Sequence, residues 1–259
     1  MARGLSLYAE GTSLLHRAHP LTKGVMTLSL IALAFIAPSI PWVVVIFAVL
    51  LGLAAIAGVT RRLAALLVVV VLPISILLVA VQGFANPANR TEIFAVGPVV
   101  YYGEGVTIAA LSAIRIGCLI CATLLFSFTT KPADISEALM QRGLSPRMGY
   151  VVQSALQIIP QTLEMSGRIQ DAQRARGLET EGSLPRRARA YLPLMLPVVL
   201  SSLVATQERA MALEVRGFGL AVKRIARYEL ADSTLQRVLR WLLALAVPVA
   251  IVARVAGWR

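Results

Sequence analysis

Charged side chains are nearly absent from five stretches of this chain and crowd the segments between them. Apolar runs cover residues 24–37, 42–59, 63–84 and 105–128. A fifth, of 18 residues or about 27 Å of helix, extends from Trp241 to Trp258 with an indole at each end. Runs of this length with so little charge predict membrane-spanning helices. The first is short for a span, and Pro38-Ser39-Ile40-Pro41 reads as a tight turn, so the first two form a helical hairpin. Arg115 is the one charged residue well inside a span, with no acid on its own helix, and reads as a packing arginine bonded to carbonyls. Arg254, near the far end of the fifth span, is placed to snorkel outward.

A sixth uncharged stretch, residues 190–206, is long enough to span but carries Pro193, Pro197 and the pair Ser201-Ser202. Both of its flanks are basic: Arg186, Arg187 and Arg189 precede it, and Arg209, Arg216, Lys223, Arg224 and Arg227 follow. Heavy positive charge on both sides opposes a crossing, so this stretch is expected to lie in protein or at the interface.

Between the fourth and fifth spans the apolar pattern becomes one-sided. Asp134-Ile135-Ser136-Glu137 fits a capping box opening a short helix that stops at Gly143. Ser145-Pro146 supplies an N-cap and a first-turn proline for a second helix. Along it Val152, Leu156, Ile159 and Leu163 fall at i, i+4, i+7 and i+11, one apolar stripe expected to pack against the third helix or a partner. Ser183-Leu184-Pro185 opens that third helix. The second and third helices end in the same way, Ala175-Arg176-Gly177 and Val215-Arg216-Gly217, with a basic last turn and Gly where a left-handed residue is needed. Gln141-Arg142-Gly143 has the same form, so a single Arg-Gly is no more than a helix stop. The pair gains meaning from its context: two amphipathic helices, greasy at one end, each present at the other a guanidinium. Such a group is a compact plug for a groove lined with carboxylates or carbonyls.

Composition agrees with a membrane protein: 58% of residues are hydrophobic and 15% charged, with a net charge of +12. In a soluble protein that charge would suggest nucleic acid; here basic residues cluster at the cytoplasmic ends of spans, and no nucleic-acid partner is expected. Arg3, Arg17, Lys23, Arg61 and Arg62 lie on one side, whereas the loop 85–104 holds only Arg90. The N-terminus is therefore expected inside, without a cleavable signal peptide, and residues 129–240, with sixteen Lys+Arg against ten Asp+Glu, are cytoplasmic. Cys118 and Cys121 lie in an apolar run and read as buried thiols, with no catalytic or metal role. The expected organisation is an all-α integral membrane protein of about five transmembrane helices. Residues 1–130 form a bundle, 131–235 a cytoplasmic region of helices and 236–259 a last transmembrane helix.

These features resemble the transmembrane T component of energy-coupling-factor (ECF) transporters, a class of ABC importer for vitamins and metal ions in prokaryotes. The family pattern has Asp-Pro-Arg-Thr-Lys before the first span, a Thr-Thr closing a span, and coupling helices bearing two Ala-Arg-Gly motifs. Here His19-Pro20-Leu21-Thr22-Lys23 matches at Pro, Thr and Lys, Thr129-Thr130 and Ala175-Arg176-Gly177 match, and Val215-Arg216-Gly217 departs at its first residue. The resemblance implies a multi-pass protein of the prokaryotic cell (inner) membrane. Two cytosolic ATPase subunits would receive Arg176 and Arg216, and a membrane-embedded substrate-binding S component would lie against the coupling helices. ATP would be hydrolysed by the partners, and this chain would bind no cofactor and perform no chemistry. No Walker loop, HExxH or nucleophile elbow occurs in it. The alternatives are an integral-membrane enzyme, which needs paired ionisable residues at bilayer depth, and a self-contained carrier, which needs polar residues through several spans.

Overall fold

The computed structural model describes residues 8–9, 11, 13–85, 92–96, 99–177, 184–218 and 232–257. Arg3, Arg90, Ser183, Lys223, Arg224, Arg227 and Trp258, on which sequence expectations rest, lie outside the described residues. In chain order the elements are α1 (Leu14–Arg17), α2 (Pro20–Ile36), α3 (Ile40–Ala57), α4 (Thr60–Ala85), β1 (Glu92–Val96), β2 (Val99–Tyr102), α5 (Gly103–Thr129), α6 (Pro132–Gln141), α7 (Pro146–Ala175), α8 (Leu184–Val215) and α9 (Thr234–Val255). The architecture is that of an all-α integral membrane protein. Among the described residues α3, α4, α5 and α9 are long and apolar enough to cross a membrane, and α2 is a shorter apolar helix. One short antiparallel hairpin, β1–β2, with Val96 opposite Val99, occupies the connection that the sequence pattern leaves as a loop.

Local chemistry sets the helix ends. Pro20 opens α2 behind His19, whose ring accepts the Leu21 N–H. Gly58, at φ 71°, closes α3; the Gly58 N–H reaches Ala55 O and the Val59 N–H reaches Ala54 O, which turns the chain directly into α4. Ser233 caps α9 through the Gln236 N–H. Asp134, expected to open α6 as its N-cap, instead falls in the first turn: α6 starts at Pro132, which its fixed φ favours at the first helical position. Pro73, Pro160 and Pro248 each lie inside a continuous helix.

Two compact units divide the chain: Leu7–Ala138 with Leu230–Arg259, and Met1–Ser6 with Leu139–Glu229. In the first, α2 and α5 run antiparallel, so Lys23 meets Thr129 and the end of α2 meets Arg115. Helix α9 runs parallel to α2, with Gln236 beside His19 and Arg254 beside Phe35 and Ile36. Helices α4 and α5 pack closely enough that a Cβ on Gly105 would lie 2.2 Å from Gln82 O. Small residues at helix contacts do the work in a membrane that large apolar ones do in water, because close backbone approach gains the dispersion energy. The core accordingly interleaves Ala34, Ala37, Ala54, Ala57 and Ala122 with the larger Val43, Leu50, Leu63 and Leu125. Cys118 and Cys121 are fully buried free thiols within it. Ser75, Ser112, Thr123 and Thr129 return their hydroxyls to the carbonyl four residues earlier, which satisfies them in an apolar layer.

The second unit is built on α7 and α8. The stretch 190–206, weighed above as a sixth span, lies within α8 in this unit.

Candidate functional site

The three Arg-Gly sequences all end helices, and Gly143, Gly177 and Gly217 all take positive φ (106°, 89° and 69°). At the end of α8 the Gly217 N–H bonds Glu214 O and the Phe218 N–H reaches back to Leu213 O, closing the six-residue loop of a Schellman cap. At the end of α7 the Arg176 and Gly177 N–H groups bond Gln173 O and Arg174 O. Each glycine ends its helix so abruptly that the preceding arginine sits on the last turn, facing outward. Arg176 and Arg216 are both exposed, and neither has a side-chain partner among the described residues. Their neighbours Ala175 and Val215 are exposed too, Val215 at 89%.

Helices α7 and α8 pair antiparallel. The Tyr150 and Phe218 rings lie 5.0 Å apart, and Arg209 Nη2 donates to Gln161 Oε1 at 3.1 Å. Both contacts join residues whose numbers sum to nearly the same value, so Arg216 lies level with about position 153 of α7. Arg176 is then roughly 35 Å further along the pair, at 1.5 Å per residue. The two guanidiniums therefore occupy opposite ends of one helical hairpin.

Val152, Leu156, Ile159 and Leu163 are between 39% and 55% exposed among the described residues, so of the two occupants that the sequence pattern allows, α8 leaves room for a partner. Helix α8 leaves its own set uncovered, with Leu196, Val199, Leu200 and Leu203 exposed. A hairpin this greasy requires a lipid or protein environment on both helices.

A second polar constellation lies in the membrane unit. Lys23, almost fully buried, donates from Nζ to Thr129 O at 2.7 Å and to His16 O at 2.9 Å. This brings together His19–Lys23 and Thr129–Thr130, two motifs more than a hundred residues apart. Around them the Ala9 N–H bonds Phe128 O, and Lys131 Nζ stands 5.2 Å over the Tyr8 ring. The hydroxyls of Thr22 and Thr130 are buried without a partner among the described residues. Helix α9 is tied to the same end: the His19 N–H donates to Gln236 Oε1, and Arg240 Nη2 pairs with Asp232 Oδ2 at 3.0 Å. Burial alone would raise the Asp232 pKa, but the hydrogen bond and charge of Arg240, with His19 and Arg237 nearby, bring it below the ordinary carboxylate value. The sequence pattern missed this attachment; its one signal is Arg240, immediately before the apolar run that opens at Trp241.

At the opposite end of α2, Arg115 donates from Nε to Ala34 O and from Nη2 to Ala37 O, as a packing arginine should. Arg254 does not extend outward: its Nη1 turns back onto Phe35 O and Ile36 O. The open carbonyls of a short helix attract it more strongly than open solvent does. Among the described residues no group of three or more His, Cys, Asp or Glu side chains is placed to hold a metal ion.

Comparison with known proteins gives a consistent picture. Residues 11–226 match the family model CbiQ, described as a cobalt transport protein. The energy-coupling factor transporter transmembrane protein EcfT of Brevibacillus brevis is 33% identical over 84% of this chain and 85% of that protein. The proteins of the same description from Heliobacterium modesticaldum and Bacillus subtilis are 30% and 27% identical, each over 82% of this chain.

Proposed function

Since the chain belongs to the CbiQ family and is the transmembrane T component of an ECF transporter, we propose that it transmits the motion of two cytosolic ATPases to a membrane-embedded S component. On this reading the chain has no active site. Arg176 and Arg216, flanked by Ala175, Gly177, Val215 and Gly217, each enter a groove on one ATPase subunit. The stripe Val152, Leu156, Ile159 and Leu163 faces the S component, which carries the substrate, a vitamin or a metal ion. The N-terminus and the α6–α8 region lie on the cytoplasmic side of a prokaryotic cell membrane.

The observation that carries this reading is the pair of guanidiniums, without a side-chain partner among the described residues, at opposite ends of one antiparallel hairpin. Two related sockets, one on each of two ATPases that close on ATP, would pull on both ends of a single body. Glycine-capped helix ends suit that load, because the positive-φ residue stops the helix cleanly and projects the arginine beyond it.

The test is retention of the ATPases on the immobilised membrane protein, together with substrate uptake. Charge reversal at Arg176 or Arg216 leaves a carboxylate facing a groove built for a guanidinium, and should weaken retention by about 30-fold or more. Lysine at either site restores binding in part, since an ammonium cannot make a two-pronged contact. Arg142→Glu, at the third Arg-Gly, is the control and should retain the ATPases. Undiminished retention and uptake with Arg176→Glu and Arg216→Glu combined would reject the reading, and equal losses at Arg142 and Arg176 would leave only bulk charge as the binding force.

A further inference from the structure

Two arginines from different helices converge on the last carbonyls of α2. Arg115, from the middle of α5, takes Ala34 O and Ala37 O; Arg254, from the last turn of α9, takes Phe35 O and Ile36 O. Four consecutive backbone acceptors are thus capped by two guanidiniums. Capping explains why the arginines approach α2 but not why there are two. A helix C-terminus carries about half a negative charge, against two full positive ones. Among the described residues no carboxylate bonds to either side chain, and neither has any further partner.

The donors left over are specific. Among the described residues Arg115 uses Nε and Nη2, which leaves its Nη1, and Arg254 uses only Nη1, which leaves the edge formed by Nε and Nη2. That edge is the one with which a guanidinium grips two oxygens of an oxyanion side-on. The site also sits where such an ion is found. Helix α2 ends at Ile36, α3 begins at Ile40 and α9 ends at Val255, so three membrane helices stop at one level and open it to the headgroup layer. Helices α4 and α5 run on past Arg115 and form a wall on one side, with α4 apolar to Phe84. The anion present at high local concentration at such a level is the phosphodiester of a phospholipid, whose tails can follow the exposed apolar side chains of Val44, Val45, Val249 and Val252.

We propose that Arg115 and Arg254 form a binding site for the phosphate of an anionic phospholipid in the leaflet that faces the α2–α3 turn. The phosphate completes the neutralisation that the four carbonyls begin, and so fixes the ends of α2, α5 and α9 around one headgroup.

The experiment uses the intact transporter complex, extracted into a neutral, phosphate-free detergent and titrated with dihexanoyl-phosphatidylglycerol. Binding is read by native mass spectrometry and by the unfolding midpoint. Glutamine at 254 keeps an N–H donor for the α2 carbonyls and removes the charge, so it separates capping from anion binding. The expected result is saturable binding that Arg254→Gln weakens about tenfold and Arg254→Lys partly restores. Arg115→Gln should weaken it likewise; if that variant does not assemble, the exposed Arg254 series decides alone. Two control ligands identify the source of the anion: dihexanoylglycerol, with the same tails and no phosphate, and inorganic phosphate. Equal binding of dihexanoylglycerol, equal stabilisation by inorganic phosphate, or equal affinity in the wild type and Arg254→Gln would each overturn the proposal. So would the absence of any saturable binding, which is what a partner's carboxylate already seated on the arginines would produce.

Discussion

Lys23 shows how much a single side chain can hold in an apolar environment. Its ammonium joins the last carbonyl of α5, which is buried, to that of His16, which is part-buried. Lys23→Met keeps the length and apolar stem of the side chain but leaves two carbonyls without a donor. At about 1–2 kcal/mol for each unsatisfied acceptor, the loss should be about 2–4 kcal/mol, read as a lowered unfolding midpoint in detergent. Lys131→Met, which removes an exposed cation from the face of Tyr8, should cost less than about 1 kcal/mol. If the two variants unfold together, the Thr129 contact carries no special weight. At this scale the sequence was only partly legible. Arg176 and Arg216 could be found because helix capping is local chemistry, written in two adjacent residues. The Thr129 partner of Lys23 and the α2 partners of Arg254 could not, since these bonds span more than a hundred residues of chain, although matched motifs at His19–Lys23 and Thr129–Thr130 marked both ends of one of them.

Among the elements, α4 and α5 approach backbone to backbone at Gly105. An added Cβ would meet Gln82 O at 2.2 Å and Gly83 Cα at 2.8 Å, both backbone atoms that cannot move aside without shifting the helix. Gly105→Ala should therefore part the two helices, at about 1–3 kcal/mol. Gly52→Ala, in α3 with nothing within 4 Å of the new atom, should be neutral or mildly stabilising. Equal unfolding midpoints for the two variants would show that α4 and α5 do not meet so closely. The attachment of α9 is electrostatic and so depends on pH. Asp232 has a folded pKa below its unfolded value, so its stabilisation is complete above the unfolded pKa of about 3.9 and fades as pH falls through the folded one. Asp232→Asn should lower the midpoint at neutral pH and flatten its decline below about pH 4; an unchanged acid profile would remove Asp232 from the attachment. The five apolar helices were legible because their periodicity and length are strong signals. The start of α6 was misplaced because Pro132 and Asp134 are both plausible first-turn residues and the proline prevailed. The β1–β2 hairpin escaped because alternation over four or five residues does not stand out in a connection that also reads as a loop.

For the whole molecule, one question is what the exposed stripe on α7 is for. The stripe itself was legible as a 3.6-residue period, but its partner was not, because the same pattern serves a neighbouring helix, a lipid or another protein equally well. Ile159 is 53% exposed in the chain alone, so a charge there disturbs little packing within the chain and should cost the fold little. In a complex where the S component covers the stripe, the same carboxylate must be stripped of water without a partner, at a cost of several kcal/mol. Ile159→Asp should thus leave the protein in the membrane and the ATPases bound through Arg176 and Arg216. It should lower retention of the S component by at least about 30-fold, and abolish uptake with it. The three readouts separate the possibilities. Loss of the membrane protein itself would mean that Ile159 is covered within the chain, against the exposure observed. Loss of the ATPases would place the stripe in their interface and not in the membrane partner's. Full retention of all components, with normal uptake, would show that the stripe faces water in the working transporter and that the S component is held elsewhere.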